Sequence, residues 1–153
     1  DLVKIWKRFG VDPRYSGPDD VIFVLGDLNY RLDIKDPFIV RTLIEKKDWR
    51  SLLLYDQLGR ARRKNEIFVR FQEGKISFPP TFKFDLDTGE YDVPKRVPSW
   101  CDRVLYWGSE VVAKPKILSY TSIESISTSD HKPVACWFDL ILRGRRDKNW
   151  AER

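Results

Sequence analysis

Cysteine and histidine are scarce in this sequence. Cys101 and Cys136 are the only thiols among 153 residues, and no CxxC spacing occurs. That excludes a disulfide framework and gives no zinc-site signature. A reduced, cytoplasmic protein is the expectation. No stretch approaches the roughly 20 apolar residues that a membrane span needs, and the opening DLVKIWKRFG is too charged for the core of a signal peptide. Contact with membranes is therefore expected only at their surface. Internal repeats, low-complexity linkers and a second composition regime are also missing, so the length fits one domain of roughly 100 to 200 residues. What is present suffices for a core: 42% of residues are hydrophobic and 14% aromatic. General disorder is excluded by that composition. The formal charge of +5 and a pI near 9.2 favour polyanions: nucleic acid, acidic lipid surfaces or small polyphosphates.

The chain reads as a single α/β unit. Leu2, Ile5, Trp6 and Phe9 are spaced like one face of a short helix that Gly10 ends. VIFVLG is a continuous, β-branched apolar run that predicts a strand buried on both faces, stopping before Asp27. From Pro37 to about Leu58, the recurrence of Phe38, Leu43, Ile44, Leu52 and Leu53 predicts two helices meeting near KKDW, with the basic GRARRKNEIFVRFQEGK as a possible extension. Pro79 and Pro80 make ISFPPTFKFD an extended, edge-like segment. RVLYW, KILSYTSIES and VACWFDLIL read as three strands, and residues 143–153 as a basic tail.

Polar clusters at strand ends are the places to look for chemistry. In GDLNYR, Asp27 and Asn29 alternate, so continued strand geometry would point both to one side. A carboxylate there could deprotonate a water while the amide donates to an anionic oxygen; the alternative is an ordinary turn. SDHKP holds the only histidine, His131, beside Asp130, either a surface residue or an imidazole oriented by a carboxylate. In RVPSWCDRVLYW, Asp102 and Arg103 are neighbours and face opposite ways on an extended chain. One could enter a cleft while the other pairs elsewhere, or the two could form an ion pair bracing a sheet. Cys101 has no arginine six positions on and no glycine-rich cradle after it, so it reads as a small buried apolar residue rather than a nucleophile.

VLGDLNYRL together with RVPSWCDRVLYW resembles the two signature motifs of the inositol polyphosphate 5-phosphatases, and FPPTFKFD and TSDHKPV occupy the family's expected order. The GDLN and SDH elements also recur in related metal-dependent endonucleases; PSWCDR and PPTFKF separate the two groups. The resemblance implies a two-sheet β-sandwich flanked by helices, deoxyribonuclease-I-like, and magnesium-dependent hydrolysis of a 5-phosphate on a phosphoinositide or a soluble inositol polyphosphate. By motif, Asp27 would position and activate water, Asn29 would stabilise the phosphoryl oxygens, and His131 would donate to the scissile phosphate with Asp102 as its carboxylate partner. Arg103 would brace the strand. Asp130 matches the motif without an assigned role. Lys83, Lys95, Arg96 and Arg31 are the candidates for gripping phosphate. Phe82 stands where the family often has tyrosine, and Pro94 where it often has lysine.

The resemblance also implies that residues 1–142 correspond to the C-terminal half of a catalytic domain. The family's WNVNG-type segment, metal-binding glutamate and second histidine have no counterpart here, so no metal ligand is assigned in this chain. A preceding half, in cis or in trans, is expected to complete the sheet and the metal site, and the chain alone is expected to be inactive. Two other readings stand beside this one: an endonuclease of the same superfamily, and a non-catalytic phosphoinositide-binding module. Nucleic acid is not the expected partner, because of the PSWCDR and PPTFKF elements.

Overall fold

The computed structural model describes residues 21–93, 96–108 and 115–140. The helix expected in the first ten residues, the basic tail, Pro94 and Lys95 lie outside these. Strand β1 spans Val21–Asp27, followed by helices α1 (Pro37–Glu45), α2 (Trp49–Leu53) and α3 (Gln57–Arg63). Strands β2 (Gln72–Glu73), β3 (Asp102–Gly108), β4 (Lys116–Ser122) and β5 (Val134–Asp139) complete the order. No helix among the described residues is long and apolar enough to cross a membrane.

Three short helices replace the two expected between Pro37 and Leu58, and the third ends at Arg63 rather than running on through the basic stretch. The reason is a series of aspartate caps. Asp36 accepts from the Phe38 amide at 2.9 Å, Asp48 from the Ser51 amide at 3.1 Å, and Asp56 from the Gly59 amide at 2.7 Å. Each satisfies an amide that a helix start leaves without a partner. Pro37 adds a φ already suited to the first turn.

The sheets are antiparallel. One has the order β1-β3-β2, the other pairs β4 with β5. Alternation along β3 divides the core. Val104 joins a cluster with Leu32, Val40, Leu52, Phe78, Trp100 and Tyr120, while Leu105 on the opposite face joins Leu58, Phe68 and Phe71. The sheets meet where Phe138 of β5 receives the rings of Phe23 and Tyr106 edge-on, at 4.9 and 5.1 Å. Phe23 and Tyr106 are themselves register partners. This is the two-sheet sandwich with flanking helices that the motifs imply.

The expectation that β1 is buried on both faces is corrected. Among the described residues β1 lies at the edge of its sheet, and although Ile22 and Val24 pack against the Leu105 cluster, Leu25 is 68% exposed on the other face. An apolar run is shared by strands covered on both faces and by strands covered on one, so composition could not separate them.

Candidate active site

The antiparallel register of β1 and β3 sets Asp27 directly opposite Asp102. Gly26, with φ of 117°, takes a backbone conformation that a side chain would resist, one residue before the strand ends. Asn29 follows in the left-handed region, φ 57°. The strand geometry therefore stops at Asp27, and the expectation that alternation would align Asp27 with Asn29 does not hold. Asp27 instead accepts the Asn29 amide at 2.8 Å, the local turn bond typical of aspartate. Both side chains remain exposed at the sheet end.

Asp102 leaves β3 on the face opposite Arg103. Its Oδ2 lies 2.9 Å from His131 Nδ1 and accepts the Thr81 hydroxyl at 2.7 Å. An ionised carboxylate only accepts, so this contact puts a proton on Nδ1 and leaves Nε2 as the working end of the ring. His131 also has a stacked neighbour. The Phe82 ring lies 4.3 Å from the imidazole, tilted by 38°, and the Arg31 guanidinium lies 4.2 Å from the Phe82 ring centre. Arg31 donates in turn to the side-chain oxygen of Asn29, while its other terminal nitrogen, Nη1, is buried without a partner. Asp27, Asn29, Arg31, Asp102 and His131 are thus brought into one constellation by the ends of β1 and β3 and the segment leading into β5.

Asp130 does not serve His131. It accepts from Lys83 Nζ at 2.6 Å, and this bond holds the Asp130 carboxyl below its ordinary value of 3.8. A lowered native value means that the pair contributes stability above the ordinary carboxylate range and loses it as pH falls through the lowered value. Lys83→Met is expected to return the Asp130 carboxyl to the ordinary range, read as the midpoint of its ¹³C carboxyl titration; an unmoved midpoint would contradict the pairing. Arg96 is exposed, and its amide donates to Asp92 O at 3.1 Å. Lys95 lies outside the described residues.

Arg103 points the other way and is almost fully buried. Its guanidinium donates to Asp56 at 2.9 and 3.1 Å and to Glu73 at 2.6 and 2.9 Å. Burial alone would lower its pKa, but Glu73 and then Asp56 more than reverse this and raise it. The alternative of an Asp102–Arg103 ion pair is therefore overturned: the two side chains diverge, one to the site and one to the brace.

Cys101 is buried, its thiol pushed up to about 12 chiefly by desolvation, and Cys136 to about 11 for the same reason. Both are free. At neutral pH neither supplies thiolate, so neither acts as a nucleophile. Native protein at pH 7.5 is expected to resist iodoacetamide at both positions by intact-mass analysis; rapid single-site alkylation would contradict this.

Magnesium was implied by the motifs, and the residues can be asked whether they would hold it. Among the described residues no group of three His, Cys, Asp or Glu side chains gathers to hold a metal. Asp102 is already committed to Thr81 and His131, and Asp27, its register partner, is an exposed carboxylate that accepts the Asn29 amide. These residues do not make a cation site by themselves. Thr81 was missed from sequence; the only hint was its place in the PPTFKF element.

Comparison with known proteins follows the same lines. Residues 4–136 match Endonuclease/Exonuclease/phosphatase family 2. The mouse type II inositol 1,4,5-trisphosphate 5-phosphatase is 42% identical over 126 residues, which are 81% of this chain and 12% of that protein. The inositol polyphosphate 5-phosphatase domain of a synaptojanin, solved with inositol (1,4)-bisphosphate and a calcium ion, superposes with a TM-score of 0.71 at 36% identity, covering 84% of this chain and 37% of that one. A Cimex nitrophorin, solved as a ferrous NO complex, superposes with a TM-score of 0.75 at 31% identity, covering 86% of this chain and 47% of that one. The chain spans less than half the length of each. Since one of these neighbours carries a ferrous NO centre, the fold by itself assigns no activity and the side chains must do so.

Proposed function

The chain belongs to Endonuclease/Exonuclease/phosphatase family 2, and from that premise we propose that it forms part of a catalytic domain hydrolysing the 5-phosphate of inositol polyphosphates and phosphoinositides. The observation that carries the reading is the 2.9 Å contact of His131 with Asp102, at the sheet end that also presents Asp27 and Asn29. Phosphoryl transfer asks little covalent chemistry of a protein; positioning and charge neutralisation supply most of the rate. Asp27 holds and deprotonates the attacking water. Asn29, its side-chain oxygen engaged by Arg31, has its amide N–H groups left to donate to a phosphoryl oxygen. His131, oriented by Asp102, donates from Nε2 to the scissile phosphate. Lys83, Arg96, Lys95 and Arg31 are the cations for neighbouring phosphates, Lys83 after exchanging Asp130 for substrate.

Activity is proposed to require the remaining part of the domain, supplied in cis or in trans. Three observations support this: the chain covers 37% of the synaptojanin domain, Leu25 is 68% exposed on the sandwich face, and no three-ligand metal cluster exists among the described residues. The magnesium implied by the motifs would then be held by groups beyond these. The test is a chimera in which this chain replaces the matching segment of the synaptojanin domain. It is expected to release phosphate from inositol 1,4,5-trisphosphate in magnesium and to leave supercoiled DNA intact. Nicking of the DNA without phosphate release would assign the endonuclease reading. Anion binding without turnover, surviving His131→Ala, would assign a binding module.

A further inference from the structure

Lys132 follows His131 directly and is buried, at 6% exposure. Its ammonium donates to two main-chain carbonyls of the connection between β4 and β5, Glu124 O at 3.1 Å and Ile126 O at 3.2 Å, and stands 4.9 Å from the centre of the Phe84 ring. Its amide donates to Thr81 O at 2.8 Å, beside the hydroxyl that contacts Asp102. A buried ammonium is costly unless its protons are taken up, and here two carbonyls and an aromatic face do so.

Besides this ammonium, the connection is held by polar bonds near its two ends, Ser122 Oγ donating to Glu124 and the His131 amide donating to Ser129 Oγ at 3.2 Å. Residues 124–129 are exposed, with Ile126 N–H donating to Ile123 O at 3.3 Å, and the loop is closed at its base by the Ile123 amide on Pro133 O at 2.8 Å. Apolar burial cannot fix such a segment. A charged group reaching inward from one end and binding the carbonyls of the other can.

We infer that Lys132 is a positioning residue for His131: its ammonium fastens the turn at 123–126, and so fixes the segment from which the imidazole reaches Asp102. The inference rests on the reading of Asp102 and His131 as the working pair. Lys132→Met keeps the aliphatic stem over Phe84 and removes the donors; Lys132→Arg keeps donors and charge.

The chain's one histidine makes the test direct. In the ¹⁵N-labelled 153-residue chain, the Nδ1 proton of His131 gives a downfield resonance sheltered by Asp102. The Trp100 indole, which donates to Phe78 O at 3.0 Å deep in the core, reports folding in the same spectrum. Lys132→Met is expected to speed solvent exchange of the His131 proton by about tenfold or more through local opening, with the Trp100 resonance unmoved and Lys132→Arg restoring the slow rate. Unchanged exchange in Lys132→Met would overturn the inference. Loss of the Trp100 resonance in that variant would also overturn it, since Lys132 would then serve the whole fold. Absence of turnover in any completed enzyme would speak against the phosphatase reading and leave these spectra as they are, so the two failures are distinguishable.

Discussion

His131→Ala is expected to lower phosphate release from the completed domain by about 10²- to 10⁴-fold, the usual contribution of a positioned general acid or base. The loss falls in kcat, because the imidazole's proton matters most as charge develops on the leaving oxygen. Asp102→Asn is expected to lose nearly as much. The amide cannot hold an imidazolium, and it must also satisfy the Thr81 hydroxyl that now donates to Asp102 Oδ2. Since the two residues act through one contact, the double variant is expected to be hardly slower than His131→Ala alone. Multiplicative losses would show that Asp102 and His131 work separately, and would remove the pair from the centre of the site.

The second large effect concerns stability. Arg103→Met strands the carboxylates of Asp56 and Glu73, which are 1% and 7% exposed at their side chains. Removing one partner of a buried ionic cluster costs about 3 to 5 kcal/mol, because the remaining charges keep their desolvation penalty without their counter-charge. Glu73 retains Arg62 at 3.1 Å and the Tyr120 hydroxyl at 3.2 Å, so the greater part of the loss falls on Asp56, whose carboxylate also caps α3. Urea unfolding followed by tryptophan fluorescence reads this as a lower midpoint. Arg103→Lys should recover only part, because one ammonium cannot reproduce the fork that grips both acids. A loss below about 1 kcal/mol, the range of exposed pairs, would mean that the cluster is solvated and the brace is not one.

Much of this was legible in the sequence, for physical reasons. Strands 102–108, 116–122 and 134–139 lie where the apolar runs predict them, because turns and prolines isolate each run. The divergence of Asp102 and Arg103 follows from the period of a strand alone. The partnership of Asp102 with His131 came from motif resemblance, since no local pattern joins residues 29 positions apart. Pairings set by tertiary structure were not legible at all. Nothing near Arg103 announces Asp56 or Glu73, 47 and 30 positions away, and nothing near Lys83 announces Asp130. The Asp27–Asn29 alternation failed because β1 stops at Asp27 and the chain is in the left-handed region by Asn29. The aspartates at 36, 48 and 56 were readable as helix starts and would have given three helices instead of two.

The position of the bond that breaks tests the central claim most directly. Completed with the rest of its domain and given inositol 1,4,5-trisphosphate and magnesium, the chain is predicted to yield inositol 1,4-bisphosphate as its sole inositol product, and essentially none when His131 is alanine. Release of the 1- or 4-phosphate, or equal turnover by the His131→Ala domain, would contradict the account.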